Sequence, residues 1–116
     1  MTTIDMFRHA SDAVSFEAGQ IIFRKDEPGL VMYAVIEGEV EILAAAKVIL
    51  SVGPGGIFGE MALIEDAPRS ATAVAKTACK LVAIDKKRFT FLVQQTPFFA
   101  LSVMRIMSER LRKQLE

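Results

Sequence analysis

Ile57-Phe58-Gly59-Glu60-Met61-Ala62-Leu63, followed after a short connection by Pro68-Arg69-Ser70-Ala71, is the stretch on which the reading of this chain turns. Glycine at position 59 permits a left-handed backbone, or close approach of a ligand where a Cβ would stand in the way. The apolar turn that follows presents unpaired N–H groups from Glu60, Met61 and Ala62, and the partial positive charge of a helix start favours an anion there. Arg69 adds a planar fork matched to two oxygens of one phosphate, a contact that lysine makes only as a point charge. The hydroxyl and N–H of Ser70 lie next to that fork. The segment is equipped to hold a phosphate.

Working outward, short segments rich in Val, Ile, Phe and Thr run from residue 13 to Asp85 and are broken by Gly and Pro, which predicts a β sandwich or roll. Gly19, Gly29, Gly38, Gly53 and Gly55 fall where turns are expected. The exception is Leu43-Ala44-Ala45-Ala46-Lys47, where an ordinary hairpin would carry Gly, Asn or Asp. Before the strands, Ile4, Met6, Phe7 and Ala10 suggest a short helix ended by Ser11-Asp12. After them, Lys86 to Gln95 reads as one helix, and Pro97 opens a second that runs to the terminus.

The segment from Phe58 to Ala71 closely resembles the phosphate-binding cassette of the cyclic nucleotide-binding domain family, roughly Phe-Gly-Glu-(apolar)-Ala-Leu, a variable loop, then Arg-(Ser/Thr/Ala)-Ala. Phe16-Glu17-Ala18-Gly19-Gln20-Ile21-Ile22-Phe23, Met32-Tyr33-Ala34-Val35-Ile36-Glu37-Gly38-Glu39-Val40 and Val52-Gly53-Pro54-Gly55-Gly56 are similar to the glycine-punctuated strands of that family. The similarity runs from about Val14 to about Leu111. It implies a mainly β fold with flanking helices, a double-stranded β-helix or jelly-roll of the cyclic nucleotide-binding domain type. The chain, 1–116, then divides into an N-terminal helix over 1–12, a β-roll over 13–85 with the cassette at 57–72, and C-terminal helices over 86–116.

The resemblance also implies the ligand and the roles. Phe58, Gly59, Glu60, Met61, Ala62, Arg69, Ser70 and Ala71 form the ligand-binding set, with phosphate on Arg69, Ser70 and the amides after Gly59, and the ribose 2′-hydroxyl on Glu60. Ser70 stands where guanine-selective members often have Thr, which favours cAMP over cGMP; Thr72 lies two positions further on. Lys113, Gln114 and Leu115 are the candidates to cap the base. Asp26 stands where members commonly have Gly, a position that Asp tolerates better than most residues. The resemblance stops short of a complete transcription regulator, because no helix-turn-helix follows.

Structural alternatives stand beside these roles. Glu60 would serve equally as a first-turn carboxylate complementing the helix dipole. Arg69 would pair on the surface with Glu65 or Asp66, a contact worth little in water. Met32, Met61, Met104 and Met107 read as core filler, and His9, near the end of the expected first helix, reads as a surface residue.

Composition bounds the rest. At 116 residues and 52% hydrophobic content the chain suffices for one domain with a proper core. Fourteen Lys plus Arg balance fourteen Asp plus Glu, so nothing marks the chain for a nucleic-acid polymer. Cys79, the sole cysteine, excludes an intrachain disulfide and a multi-cysteine metal site. The start of the chain lacks the signature of a signal peptide and no apolar run reaches ~20 residues, so the cytoplasm is expected and a membrane is not.

The expectation is therefore a non-catalytic sensor of a cyclic nucleotide, without cofactor or metal, that signals through its last helix. On that helix Leu101, Met104, Leu111 and Leu115 project as one stripe, widened by Val103, Ile106 and Met107. Such breadth exceeds one core face and predicts packing on the roll and on a second copy, a homodimer through the C-terminal helix; the plainer alternative is packing on the roll alone. Three other readings remain: an interaction module of the same fold that has lost its ligand, a piece of a longer sensor, since the chain ends inside a helical pattern without a C-cap glycine, and a cupin-type metalloenzyme. The last needs clustered histidines, and His9 is the only histidine.

Overall fold

The computed structural model describes residues 2–116. Eight strands and three helices follow in the order β1 Val14–Phe16, β2 Ile21–Phe23, β3 Val31–Glu37, β4 Val40–Ala44, β5 Lys47–Val52, β6 Ile57–Phe58, α1 Glu60–Glu65, β7 Thr72–Ala75, β8 Cys79–Asp85, α2 Lys86–Gln95 and α3 Pro97–Leu115. They form two four-stranded antiparallel sheets, β1-β8-β3-β6 and β2-β7-β4-β5. This is the expected roll, with helices on one outer face.

Alternation along the strands explains the layering. Val35 on β3 and Cys79 and Leu81 on β8 point between the sheets, where they meet Val40, Ile42, Val52, Ala73 and Ala75. Met32 and Ala34 on β3 and Val82 and Ile84 on β8 point the other way, onto Phe99, Val103 and Ile106 of α3. The central pair β3 and β8 is thus apolar on both faces, which is why these strands read as nearly continuous hydrophobic runs. In its register Met32 pairs with Ile84, Ala34 with Val82 and Val35 with Leu81.

Among the described residues no helix forms at the N-terminus, contrary to the sequence expectation of one over 1–12. Residues 6–9 make turns, with Arg8 N–H donating to Asp5 O at 3.1 Å and Ala10 N–H to Phe7 O at 2.9 Å. A single turn gains too little to nucleate a helix in isolation, whereas burying Ile4 and Phe7 is worth roughly 1.5–3 kcal/mol each. Both side chains are buried in the helix-side core, Phe7 edge-on to Phe99, while Met6 stays exposed. The segment is pinned by Ile4 N–H to Gly55 O at 2.6 Å and by Thr2, whose hydroxyl and amide both donate to the Glu109 carboxylate on α3. His9 is exposed.

The alanine-rich connection is a two-residue hairpin, with Ala45 at φ 51° and Ala46 at φ 64°. Both central residues of such a loop must be left-handed to match strand twist, so the alanines adopt a conformation that costs an L-residue ~1–2 kcal/mol. Pairing on either side holds them there. The ladder passes from Ile42↔Leu50 to Leu43↔Val48, leaving Ile49 as the extra residue of a bulge.

The two C-terminal helices start and stop where the sequence placed them. Asp85 caps α2 by accepting from Arg88 N–H at 2.8 Å, and Pro97 opens α3. The stripe of Leu101, Met104, Leu111 and Leu115 does not pack on the roll; these four are exposed, and the buried face of α3 is Phe99, Val103 and Ile106. No helix among the described residues is long and apolar enough to cross a membrane, and no group of three or more His, Cys, Asp or Glu among them is placed to hold a metal ion.

Candidate functional site

Beside α1 lies a cavity of about 360 Å³, and all eight residues singled out from the sequence line it. β6 delivers Phe58 into the inter-sheet core, and the chain then reverses through Gly59 at φ 79° into α1. A Cβ at Gly59 would lie 2.7 Å from Arg69 Nη1, so glycine is required here by the backbone and by the approach of the guanidinium together. No side chain caps α1 at its N-terminus, and its first N–H groups have no intrahelical acceptors. Glu60 and Ala62 turn inward from that helix, Met61 is half exposed, and Ser70 and Ala71 follow Arg69 on the opposite wall, the first exposed and the second buried.

Arg69 is 96% shielded from solvent, its relative exposure being 4%. Nη1 donates to Gly59 O at 3.0 Å and Nη2 to Val31 O at 2.6 Å, while the guanidinium carbon sits 4.0 Å over the centre of the Phe23 ring. Nε has no partner among the described residues. Neither Glu65 nor Asp66 pairs with it: Asp66 instead binds Lys86 at 2.8 Å, so the surface ion pair considered for Arg69 does not form. Burial pulls Arg69 below the ordinary arginine value, against the opposing influence of Tyr33, Glu27 and Glu60. Burial likewise raises the Tyr33 phenol, with Arg69 acting in the other direction. A buried cation whose neighbours are carbonyls and a ring face is poised for an anion.

The loop from Arg24 to Gly29 brackets that arginine. Asp26 N–H donates to Arg69 O and Arg69 N–H to Glu27 O, each at 2.8 Å. Asp26 takes φ 74° to do so, the left-handed geometry expected at this departure from glycine. Gly29 packs so tightly that a Cβ would lie 2.2 Å from that of Ala62. Thr72 is committed elsewhere, its hydroxyl accepting from Lys25 N–H at 3.0 Å.

Glu60 is buried as well, and its partner was not foreseen. Arg110 on α3 donates through Nη1 to Glu60 Oε1 at 3.1 Å and through Nη2 to Ile57 O. The signal was present in the spacing: Phe99, Val103, Ile106 and Arg110 follow one another at intervals of four, three and four, so the guanidinium continues the buried face of the helix. Lys113 and Gln114, two of the three residues considered for the base, reach the same cavity; Leu115 does not line it. Phe23, Ile42, Ile49 and Leu50 supply an apolar wall that the sequence reading did not include. The bulge at Ile49 brings β5 to that wall. The arrangement therefore offers a guanidinium and free amides for an anion, a carboxylate for a hydroxyl, and an apolar face for a ring.

The sequence profile of the cyclic nucleotide-binding domain matches residues 13–96. The chain is 43% identical over 83 residues to a cyclic nucleotide-gated potassium channel of Mesorhizobium japonicum, covering 72% of this chain and 23% of the channel. It is 38% identical over 85 residues to a cAMP-dependent protein kinase regulatory subunit of Schizosaccharomyces pombe, covering 72% of this chain and 21% of that protein. The fold superposes on the catabolite activator protein of Thermus thermophilus with a TM-score of 0.77 at 28% identity, over 90% of this chain and 52% of the other. The chain spans less than a quarter of these two curated relatives. With this profile match, and with cassette glycine, buried glutamate and buried arginine following in that order, the chain belongs to the cyclic nucleotide-binding domain family.

Proposed function

We propose that the chain is a single, non-catalytic sensor domain that binds cAMP. The observation that carries this reading is Arg69, a buried guanidinium without a carboxylate partner, set beside the left-handed Gly59 and the uncapped start of α1. In this reading the phosphate docks on Arg69 and on the amides that follow Gly59, next to Ser70. Glu60 keeps Oε1 on Arg110 and offers Oε2 to the ribose 2′-hydroxyl. The base lies against Ile42, Ile49 and Leu50, below Lys113 and Gln114. The likeness to a cAMP-dependent regulatory subunit supports adenine, as does Ser70 in place of Thr.

Signalling runs through α3 because Arg110 joins that helix to the ligand-facing carboxylate. A nucleotide that binds one placement of α3 better than another shifts the population between them. The exposed stripe of Leu101, Met104, Leu111 and Leu115 is the surface through which a second copy pairs. Titration calorimetry with cAMP, cGMP and cyclic dinucleotides tests the reading. Saturable one-to-one heat with cAMP, weaker with cGMP, supports it; absence of heat with all of them refutes it.

A further inference from the structure

We propose that Phe23 is a positioning residue for Arg69: its ring holds the guanidinium by the face so that the edge is left to the ligand's anion. The proposal rests on the cyclic nucleotide reading and adds the device that keeps the anion receptor open. A guanidinium has five N–H donors, all in its plane and directed outward from its edge. Here two are taken by the carbonyls of Gly59 and Val31 and Nε is unpartnered. The support comes from below: the Phe23 ring centre lies 4.0 Å from the guanidinium carbon. A ring quadrupole attracts a cation across its face without using any N–H. A carboxylate in that place would have satisfied the charge and competed with phosphate; an aliphatic side chain would have left the guanidinium without an attractive partner on that side.

Phe23 is itself fixed. Its ring stacks on Tyr33 at 6.3 Å and 22° and tilts against Phe58 at 5.9 Å, and Tyr33 and Phe58 stack at 5.3 Å. The register of β2 against β7 shifts between Ile21 and Phe23, and such an irregularity re-aims the side chain that follows it. Gly59 stands beside both groups: a Cβ there would lie 2.7 Å from Arg69 Nη1 and 3.4 Å from Phe23 Cε2, so the bare glycine leaves the space in which ring and guanidinium meet. The arginine is thus held by its face on the ring and by its edge on the Gly59 carbonyl.

The experiment is a double-mutant cycle read by cAMP titration of the full chain, with Phe23→Met as a substitution of similar volume that lacks a ring face. Phe23→Met is expected to weaken cAMP binding about fivefold to thirtyfold, the range of a desolvated cation–ring contact, while Phe23→Tyr binds as the wild type does. In an Arg69→Leu background Phe23→Met is expected to change affinity by less than about twofold, because the residue through which it acts is gone. Losses that add in the double variant overturn the proposal and make Phe23 a direct ligand contact; so does a Phe23→Tyr variant as weak as Phe23→Met. Phe23→Leu takes the place of Phe23→Met if the latter does not fold. A wild type that binds no cyclic nucleotide overturns the functional reading itself, a result distinct from additivity.

Discussion

Arg69 carries the sharpest consequence at the scale of single residues. Replacing it by Leu removes the charge that faces the cavity and should weaken cAMP binding by ~1.5–3 kcal/mol or more, the scale of hydrogen bonds to a charged group. Stability should hardly change, since relief from burying a cation offsets the two carbonyl contacts it makes. Calorimetry and a thermal melt check both halves, and unaltered binding would remove Arg69 from the site. Glu60→Gln separates two roles of one carboxylate. The part of the affinity loss shared by cAMP and its 2′-deoxy analogue reports the freed Arg110; any extra loss with cAMP alone reports the ribose hydroxyl. Equal losses would assign Glu60 wholly to holding α3. Gly59, Glu60 and Arg69 stood out in the sequence through the resemblance of the whole cassette, and the fold gathers them around one cavity. Arg110 was missed: its spacing continues the face of Phe99, Val103 and Ile106, but a charge on a surface helix reads as solvent-facing until tertiary packing shows which face meets the roll.

Among the elements, the β4–β5 hairpin holds backbone strain. Exchanging its two central alanines, Ala45→Asn with Ala46→Gly, supplies residues that accept positive φ and should stabilise the protein by ~1–2 kcal/mol in urea unfolding. A destabilised double variant would show that the alanine methyls contribute packing that outweighs the strain. The same hairpin shows where sequence reasoning runs out: three alanines carry no turn signal, so only the pairing of the flanking strands reveals the loop. The N-terminal segment went the other way. Its apolar spacing imitates a helical turn, yet Ile4 and Phe7 are separate anchors into one core. The roll, by contrast, was readable in kind, because short runs of Val, Ile, Phe and Thr broken by glycine and proline are local features. The buried face of α3 was half readable: Val103 and Ile106 were identified as apolar, but the stripe drawn through Leu101 and Met104 lies on the exposed side.

For the whole molecule, the proposal that the exposed stripe pairs two copies predicts the association state. Leu111 and Leu115 are 59% and 80% exposed in the single chain, so changing both to Glu costs the isolated fold little, whereas uncompensated charges inside an apolar interface are costly. Sedimentation velocity should find a dimer for the wild type and a folded monomer for the double variant, with altered cAMP affinity in the variant through linkage. A wild type that remains monomeric at high concentration with and without cAMP would leave α3 as a cover on its own roll.

The double-sided burial of β3 and β8 has a consequence in time. Amide protons exchange with solvent through openings whose free energies differ across a structure, and the last to open are those beneath the most packed surface. The β3–β8 ladder has an apolar core on each side, so freeing it means dismantling both; the outer turns of α3 and the strap from Thr2 to Phe7 have one side in water. Hydrogen–deuterium exchange should therefore run inward as an ordered sequence of lifetimes, with the end of α3 fastest, the N-terminal strap next, and Met32 to Val35 together with Leu81 to Ile84 slowest. Added cAMP should lengthen the lifetimes of the slow ladder by the full binding free energy, because that ladder opens only with global unfolding and the unfolded chain holds no nucleotide. It should lengthen those at the α3 end by a different factor, set by how much of the site opens with that helix. Uniform slowing of every amide would mean that the ligand stabilises the fold as one unit and that α3 has no opening of its own.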